Sequence, residues 1–259
     1  MGAMTRSFTI PLSPAVQLPE ASRAVSVSTE RLMPHDLEDC IGLSIHEPAL
    51  TADNLGLKTW ASSYVLAKRL SLLRATLPPL PEPASILELG AGTGLVGMAA
   101  SCVFQTHVIL TDLPEIVENL DQNVRSNAAV ISTCNGTMST AVLDWSDPGS
   151  FHSDSESDHS AQSFPLILVA DPIYSTEHPR LLVQAIGYRL VRDKDARVVI
   201  ELPLRDAFAP ERQDLRERMA ALGLTVLDEG EEVGFDDWSE GQDETPAEVR
   251  CWWSVWGWK

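Results

Sequence analysis

The stretch LELGAGTGLVG, residues 87–97, decides the fold class of this chain. It begins with apolar residues typical of a buried strand, and Gly90, Gly92 and Gly94 follow at once. Glycine adopts left-handed backbone conformations and lets a ligand approach the main chain closely. The helix predicted after the glycines presents free N–H groups to a polar or anionic group. The stretch therefore indicates a strand, a ligand-binding turn and a helix.

The acid within this stretch discriminates between two classes of ligand. Read as Gly92-x-Gly94-x-x-Gly97, the stretch also fits the dinucleotide fingerprint. Glu88, two residues before Gly90, favours a cationic ligand instead, because a carboxylate there would repel a pyrophosphate. S-adenosylmethionine carries both a sulfonium and an ammonium group. We therefore expect S-adenosylmethionine as the cofactor, with a nicotinamide dinucleotide as a distant alternative.

Strands and helices are predicted to alternate from residue 85 onward. This alternation is typical of an α/β fold with a doubly wound, mostly parallel sheet. The last two strands, LTVLDEGEE and EVRCWWSVWGWK, have no helix between them, so they predict an antiparallel C-terminal hairpin at one edge. The other five predicted strands are 85–89, 106–112, 139–145, 166–171 and 196–202.

The N-terminal part differs in composition from this alternating region. Residues 1–30 are rich in Ser, Pro, Thr and Ala, with one short strand-like segment, AVSVST. We predict a partly flexible N-terminal arm over 1–44 and one domain over 45–259. A helix is predicted from Trp60 through WASSYVLAKRLSLLRATL, where apolar residues recur every three or four positions.

Charge and cysteine usage exclude several classes of function. The chain has 259 residues with 37 acids and 19 bases, a net charge of −18, which disfavours nucleic-acid binding. Its four cysteines show no CxxC spacing, so we expect no metal site and a cytoplasmic or nuclear protein. No apolar run has transmembrane length, and no signal-peptide pattern is present at the N-terminus.

Asp112 ends the second predicted strand, 22 residues after Gly90. An acid at this position can accept hydrogen bonds from ribose hydroxyls. The alternative is that Asp112 caps the helix that begins at Pro114. Both roles can hold at once, because an acid at the end of a strand faces the ligand crevice.

Four motifs together resemble a known family. ILELGAGTGLVG, TD, LDW and ADPIY end successive strands, as in seven-strand S-adenosylmethionine methyltransferases. With GLKTWASSYVLAKRL before the first strand, the chain is similar to the eukaryotic, fungal-like family-16 group. That group contains many protein-lysine methyltransferases, whose substrates include chaperones and translation elongation factors. The resemblance covers about residues 45–258 and implies a Rossmann-like, seven-stranded methyltransferase domain.

The resemblance implies a set of cofactor contacts. Trp60 would pack near the methionine end, Asp112 would hold the ribose, and Leu113 would flank the adenine. Asp144 would lie near the exocyclic amine of adenine and Trp145 against the face of its ring. Ordinary core packing remains open for Trp60 and Trp145. The other implied contacts come from the glycine turn and the end of the fourth strand: Glu88, Gly90, Gly92, Gly94 and Ala170.

The segment VADPIYS, residues 169–175, places an acid and a phenol at the end of the fourth strand. A carboxylate there can accept a hydrogen bond from an amine and orient its lone pair toward a methyl donor. We therefore predict Asp171 and Tyr174 as catalytic residues, with Pro172 making the turn rigid. The alternative is that Asp171 caps the following helix, although Ser175 and Thr176 are better placed for that role.

These observations predict a protein-lysine methyltransferase, acting as a monomer on a basic protein surface. Residues 228–248 hold ten acids, which indicate either a solvated hairpin loop or a docking surface for such a substrate. The first alternative is a methyltransferase for a small amine or a nucleobase, since DPIY resembles a motif for amino-group methylation. Ile173 replaces the second proline of that motif and weakens the analogy. The second alternative is a cofactor-binding module without catalytic activity.

Overall fold

The structure is a computed structural model that describes residues 2–14, 39–49, 55–152, 162–236 and 247–259. Two sheets are present in this part of the chain, one of eight strands and one of two. No helix in the described ranges is long and apolar enough to cross a lipid bilayer.

The two-stranded sheet is an N-terminal antiparallel hairpin. Strand β1, Met4–Pro11, pairs along its whole length with β2, Cys40–Glu47. Phe8 and Ile10 are buried in the same core cluster as the first helices of the domain, so the hairpin packs onto that domain. This differs from the arm expected over residues 1–44, whose boundary lies inside β2. The predicted strand at AVSVST lies outside the described residues.

The large sheet has the predicted doubly wound arrangement. Its strand order is β6-β5-β4-β3-β7-β8-β10-β9, and β3, β4, β5, β7 and β8 run parallel. These strands are β3 Ser85–Leu89, β4 His107–Asp112, β5 Thr137–Leu143, β7 Leu166–Ala170 and β8 Arg197–Pro203. The two-residue β6, Phe151–His152, extends the predicted seven strands at one edge.

The C-terminal strands form the predicted antiparallel hairpin. Strand β9, Leu224–Asp236, pairs with β10, Ala247–Trp258, and β10 inserts between β8 and β9. Residues 228–236 therefore belong to a strand and not to an acidic loop, because their backbone pairs with β10. Four of their acids form ion pairs, Glu229 with Arg216, Glu231 with Arg250, Glu232 with Arg69 and Asp236 with Arg205. Residues 237–246 lie outside the described part of the chain.

Helices cover both faces of the sheet. They are α1 Ala61–Thr76, α2 Leu95–Phe104, α3 Pro114–Thr133, α4 His178–Arg189 and α5 Ala209–Leu222. Two core clusters result, one on each face. Side chains of β10 alternate between the two faces of the sheet and so contribute to both clusters. Val255 belongs to one cluster, and Trp252 and Trp256 belong to the other. The carboxyl ends of the parallel strands meet at one edge, which is where the site lies.

Candidate active site

A cavity of about 560 Å³ opens at the carboxyl ends of the parallel strands. This edge is the usual ligand position in open α/β sheets. Ten of the twelve site residues predicted from the sequence line this cavity, although they are spread over more than one hundred positions of the chain. These ten are Trp60, Gly90, Gly92, Asp112, Leu113, Asp144, Trp145, Ala170, Asp171 and Tyr174.

The glycine turn forms one wall of the cavity, and its shape depends on the missing side chains. Gly90 and Gly92 have φ angles of +69° and +56°, in the left-handed region. A Cβ atom on Gly90 would lie 3.0 Å from Cζ2 of Trp145, and one on Gly92 would lie 2.9 Å from the Gly56 carbonyl oxygen. Both positions therefore require glycine for conformation and for space.

Asp112 joins the glycine turn to the start of α3. Its Oδ2 accepts the Gly92 N–H at 2.8 Å, and its Oδ1 accepts the Leu113 N–H, also at 2.8 Å. Burial raises the pKa of Asp112 to about 6, although these two hydrogen bonds lower it. The N-cap of α3 is Leu113, without a side-chain hydrogen bond, so Asp112 is not the helix cap. Its cavity-facing position is the one that ribose binding needs, and that role stays a prediction.

Glu88 and Gly94 do not line the cavity, which corrects the direct ligand contacts expected for them. Glu88 is buried beneath the turn, where its Oε2 accepts the Gly97 N–H at 2.8 Å. Burial raises the pKa of Glu88 to about 8. Gly94 is the N-cap of α2 and would meet Leu120 if it carried a Cβ atom. Both residues support the turn without lining the cavity, because Glu88 accepts a hydrogen bond from the first turn of α2 and Gly94 is the N-cap of the same helix.

Asp144 and Trp145 follow β5 and line the cavity. Asp144 Oδ1 accepts the Ser146 N–H at 2.7 Å, which fixes the turn that exposes Trp145. The Trp145 ring contacts the glycine turn and meets the His178 ring edge-on, with centroids 6.0 Å apart. An indole held in this way offers a flat apolar surface to a planar ligand group, as predicted for adenine.

Asp171 follows β7 and faces the cavity in a left-handed conformation, with φ of +47°. Its side chain is 7% exposed and receives two contacts from the Arg205 guanidinium, at 3.2 and 3.5 Å. Burial raises the pKa of Asp171 to about 6, and the nearby Arg205 charge lowers it. Helix α4 begins only at His178, with Glu177 at its N-cap, so Asp171 is not that helix's cap.

Tyr174 stands at the mouth of the cavity and is 51% exposed. Its ring meets the His178 ring edge-on, with a centroid distance of 4.1 Å. His178 Nδ1 lies 2.9 Å from the Pro172 carbonyl oxygen, and a carbonyl can only accept, so Nδ1 carries the proton. Burial lowers the pKa of His178. The histidine therefore braces the turn that carries both predicted catalytic residues.

The sequence reasoning missed several cavity residues. Arg205 and Phe208 follow β8, Glu115 lies in the first turn of α3, and Lys58 precedes α1. For Arg205 a signal existed, because parallel strands end at the same edge, so residues just after β8 must lie beside those after β7. No comparable signal marks Lys58, which is buried against the Trp60 ring at 5.9 Å.

The arrangement fits S-adenosylmethionine. The turn at Gly90 and Gly92 leaves a cradle that any Cβ would fill, and Asp112 places a carboxylate beside it. Trp145 supplies a flat surface for a base, and the cavity continues past Ala170 to a second carboxylate at Asp171. A cofactor with a ribose, a base and a cationic end meets complementary groups in that order.

The fold and this site define a Rossmann-like methyltransferase. A solved S-adenosylmethionine-dependent methyltransferase from Agrobacterium tumefaciens aligns with a TM-score of 0.52 at 16% identity. The alignment covers 84% of this chain and 68% of that one, and it shows the shared fold.

The chain belongs to the lysine methyltransferase family, whose model matches residues 38–208. It is 36% identical over 212 residues to the protein-lysine N-methyltransferase EFM2 of Saccharomyces cerevisiae, which covers 76% of this chain and 48% of that one. It is 35% identical to the protein-lysine N-methyltransferase rrg1 of Schizosaccharomyces pombe, covering 85% and 68% of the two chains. The chain thus spans about half the length of the first of these relatives. The predicted fold, family and cofactor class are confirmed.

Proposed function

We propose that this protein transfers methyl groups from S-adenosylmethionine to a lysine side chain of a protein substrate. The observation that carries the proposal is the continuity of the cavity, which joins the glycine turn to Asp171 and Tyr174. The two similar yeast proteins are both named protein-lysine N-methyltransferases, which supports the same acceptor class here.

The roles of the residues follow from what methyl transfer requires. The bound cofactor supplies a methyl group on a sulfonium, which an amine attacks only with a free lone pair. Asp171 would accept a hydrogen bond from the acceptor nitrogen and so direct its lone pair along the cavity. Tyr174, at the mouth, would form one wall of the channel through which the lysine side chain enters. The ammonium proton must leave before attack, so the rate should rise with pH.

The charge of the chain supports a basic protein surface as the substrate. The net charge is −18, and a cavity entrance in such a protein attracts a lysine-rich segment. The acids of residues 228–236 lie on β9, and Asp236 at its end lies 4.0 Å from the cavity residue Arg205. Asp236 therefore places a carboxylate at the acceptor end of the site, whereas Glu229, Glu231 and Glu232 of the same strand are paired with arginines. The same charge disfavours RNA and DNA as substrates.

Methylation of a fungal cell lysate tests the proposal. The purified protein is incubated with S-adenosylmethionine that carries a labelled methyl group, and the labelled products are separated and identified by mass spectrometry. The proposal predicts label on lysine residues of one or a few proteins. This label should survive ribonuclease treatment of the sample. The matched control is the Asp171→Asn protein, which should bind cofactor but give little label.

Label found on RNA, on free nucleobases or on small amines would contradict the lysine assignment. Cofactor binding without any labelled product would instead support a binding module without catalytic activity. Each of these outcomes overturns the proposal, because the first places the methyl group on a different acceptor and the second shows no methyl transfer.

A further inference from the structure

Three strands of the sheet bring charged side chains together at one point of the cavity wall. Asp171 follows β7, Arg205 follows β8, and Asp236 ends β9. Arg205 Nη2 lies 3.2 Å from Asp171 Oδ2 and 4.0 Å from Asp236 Oδ2. One guanidinium therefore stands between two carboxylates, both of which are 7% exposed.

Arg205 is held in this place from several sides. Asp236 Oδ1 accepts the Ala61 N–H at 3.0 Å, which ties its carboxylate to the start of α1. The Arg205 guanidinium lies over the Trp60 ring, with 5.1 Å between its central carbon and the ring centroid. Its side chain keeps 32% exposure and lines the cavity. The arginine is thus anchored by Asp236, which does not line the cavity, and by Trp60, which lines the cavity together with Arg205 itself.

The groups around Asp171 act on its charge in opposite directions. Burial comes first and raises its pKa, and the neighbouring Asp236 charge raises it further. The Arg205 charge and the hydrogen bonds from Arg205 lower it. Burial raises the pKa values of two neighbouring groups, Tyr174 at the cavity mouth and Cys251, and the Asp171 charge raises them further. Arg205 is therefore the cation that offsets the effect of burial on the Asp171 pKa.

We propose that Arg205 is a positioning residue of the acceptor site, which keeps the Asp171 carboxylate charged and turned toward the cavity. Asp236 and Trp60 hold Arg205 for this task. The proposal deepens the proposed function, on which its catalytic part rests. The two carboxylates and the guanidinium carry a net charge of −1, which favours the approach of a lysine ammonium from solvent before it loses its proton.

The consequence of removing Arg205 follows from electrostatics. Asp171 and Asp236 would then be two buried acids without a cation between them, and one of them would hold its proton at neutral pH. A protonated Asp171 can donate a hydrogen bond, but it attracts a cationic acceptor poorly. Arg205→Lys keeps the charge and loses the bidentate geometry, which makes it the conservative comparison.

Carboxyl-carbon NMR of the cofactor-free protein, labelled on aspartate, measures this effect directly. Asp171→Asn identifies the Asp171 signal by its disappearance. Arg205→Met should raise the Asp171 pKa by about one pH unit or more, and Arg205→Lys should restore most of the difference. Asp236→Asn should shift the Asp171 pKa downward, because it removes the neighbouring negative charge and keeps an oxygen for the Ala61 N–H.

Turnover separates the electrostatic claim from the catalytic one. In single-turnover methylation, the pH at which Asp171 limits the rate should move upward in Arg205→Met and return toward normal in Arg205→Lys. An unchanged Asp171 pKa in Arg205→Met, measured on a folded sample, would overturn the proposal. A pKa that moves while the rate profile stays fixed would overturn the positioning role. The NMR result does not depend on methylation, so failure of the proposed function alone would leave it unaffected.

Discussion

The two halves of the cavity are built in different ways. The glycine turn of the cofactor half uses backbone groups from one short segment, Gly90–Gly94, whose Gly92 N–H donates to the Asp112 carboxylate. The acceptor half uses side chains from distant segments, since Asp171, Arg205 and Asp236 come together only when three strands pair. The glycine turn is specified locally, and the acceptor half is specified by the topology of the sheet. Substitutions in the two halves should therefore have separable effects.

The largest expected effect is in the cofactor half. Gly92→Val places side-chain atoms against the Gly56 carbonyl and forces a β-branched residue to a φ of +56°. We expect the Kd for S-adenosylmethionine to rise at least about 100-fold, which corresponds to about 3 kcal/mol. Isothermal titration calorimetry measures this Kd, and circular dichroism checks that the variant is folded.

Gly42→Ala provides the matched control, because a Cβ at this position in β2 has no atom within 4 Å. It should bind the cofactor as the unmodified chain does. If Gly92→Val binds S-adenosylmethionine normally, the cavity wall at the glycine turn is not the cofactor site. Measurable binding of NAD by the unmodified chain would point to the same error.

Tyr174 tests the acceptor half at its mouth. Tyr174→Ala removes a ring whose edge-to-face contact with His178 is worth about 0.5–1.5 kcal/mol, so turnover should fall by about threefold to tenfold. Tyr174→Phe keeps the ring and should cost less. Single-turnover methylation at saturating cofactor measures both. Equal losses in the two variants would assign the role to the hydroxyl and not to the ring.

The same contrast explains how much of the site could be predicted from the sequence. Glycines at fixed spacing after β3 and acids at the ends of β4 and β5 reveal the cofactor wall, because their chemistry is local to a strand and its turn. Asp236 carries no such signal, since an acid in an acid-rich segment is usually solvated, and Arg205 is marked only by its position after β8. The N-terminal strand Met4–Pro11 was missed for a related reason: its partner, Cys40–Glu47, lies thirty residues away.

Salt tests the inferred charge of the substrate. Raising the salt concentration from about 0.1 to 1 M shortens the Debye length from about 10 to 3 Å, so KM for a basic protein substrate should rise several-fold. Neutralising Asp243 and Glu244 should raise KM more than it lowers kcat. The control is the double variant Asp193→Asn and Asp195→Asn, which also removes two negative charges. These residues precede β8, at the amino ends of the parallel strands and away from the cavity, so KM should stay unchanged. Equal effects of the two pairs would exclude local docking.

A smaller effect concerns the stability of the sheet that carries both halves of the cavity. Glu201 of β8 is fully buried, neither of its carboxylate oxygens has a hydrogen-bond partner among the described residues, and burial raises its pKa to about 8. The folded state then holds a proton that the unfolded state has already released above its ordinary value of 4.5. Stability from this group is therefore complete below that value and is lost as pH rises to about 8.

Glu201→Gln should remove part of this pH dependence. Thermal melts should show a variant of similar stability at acidic pH that is several degrees more stable than the unmodified chain near pH 8. Glu88 has the same raised pKa and should account for part of the remaining slope. Parallel melting curves for the variant and the unmodified chain across this range would show that Glu201 does not titrate there.

The separation of the two halves is tested most directly at Asp171. Asn is isosteric with Asp and tolerates the left-handed conformation found there, so Asp171→Asn changes the charge without adding the backbone strain that alanine would bring. On one sample of this variant, calorimetry gives the cofactor Kd and single-turnover methylation gives the rate of the chemical step. We predict an almost unchanged Kd with a rate at least about 100-fold lower. A variant that methylates at the normal rate, or one that loses cofactor binding in proportion to its rate, would contradict the account.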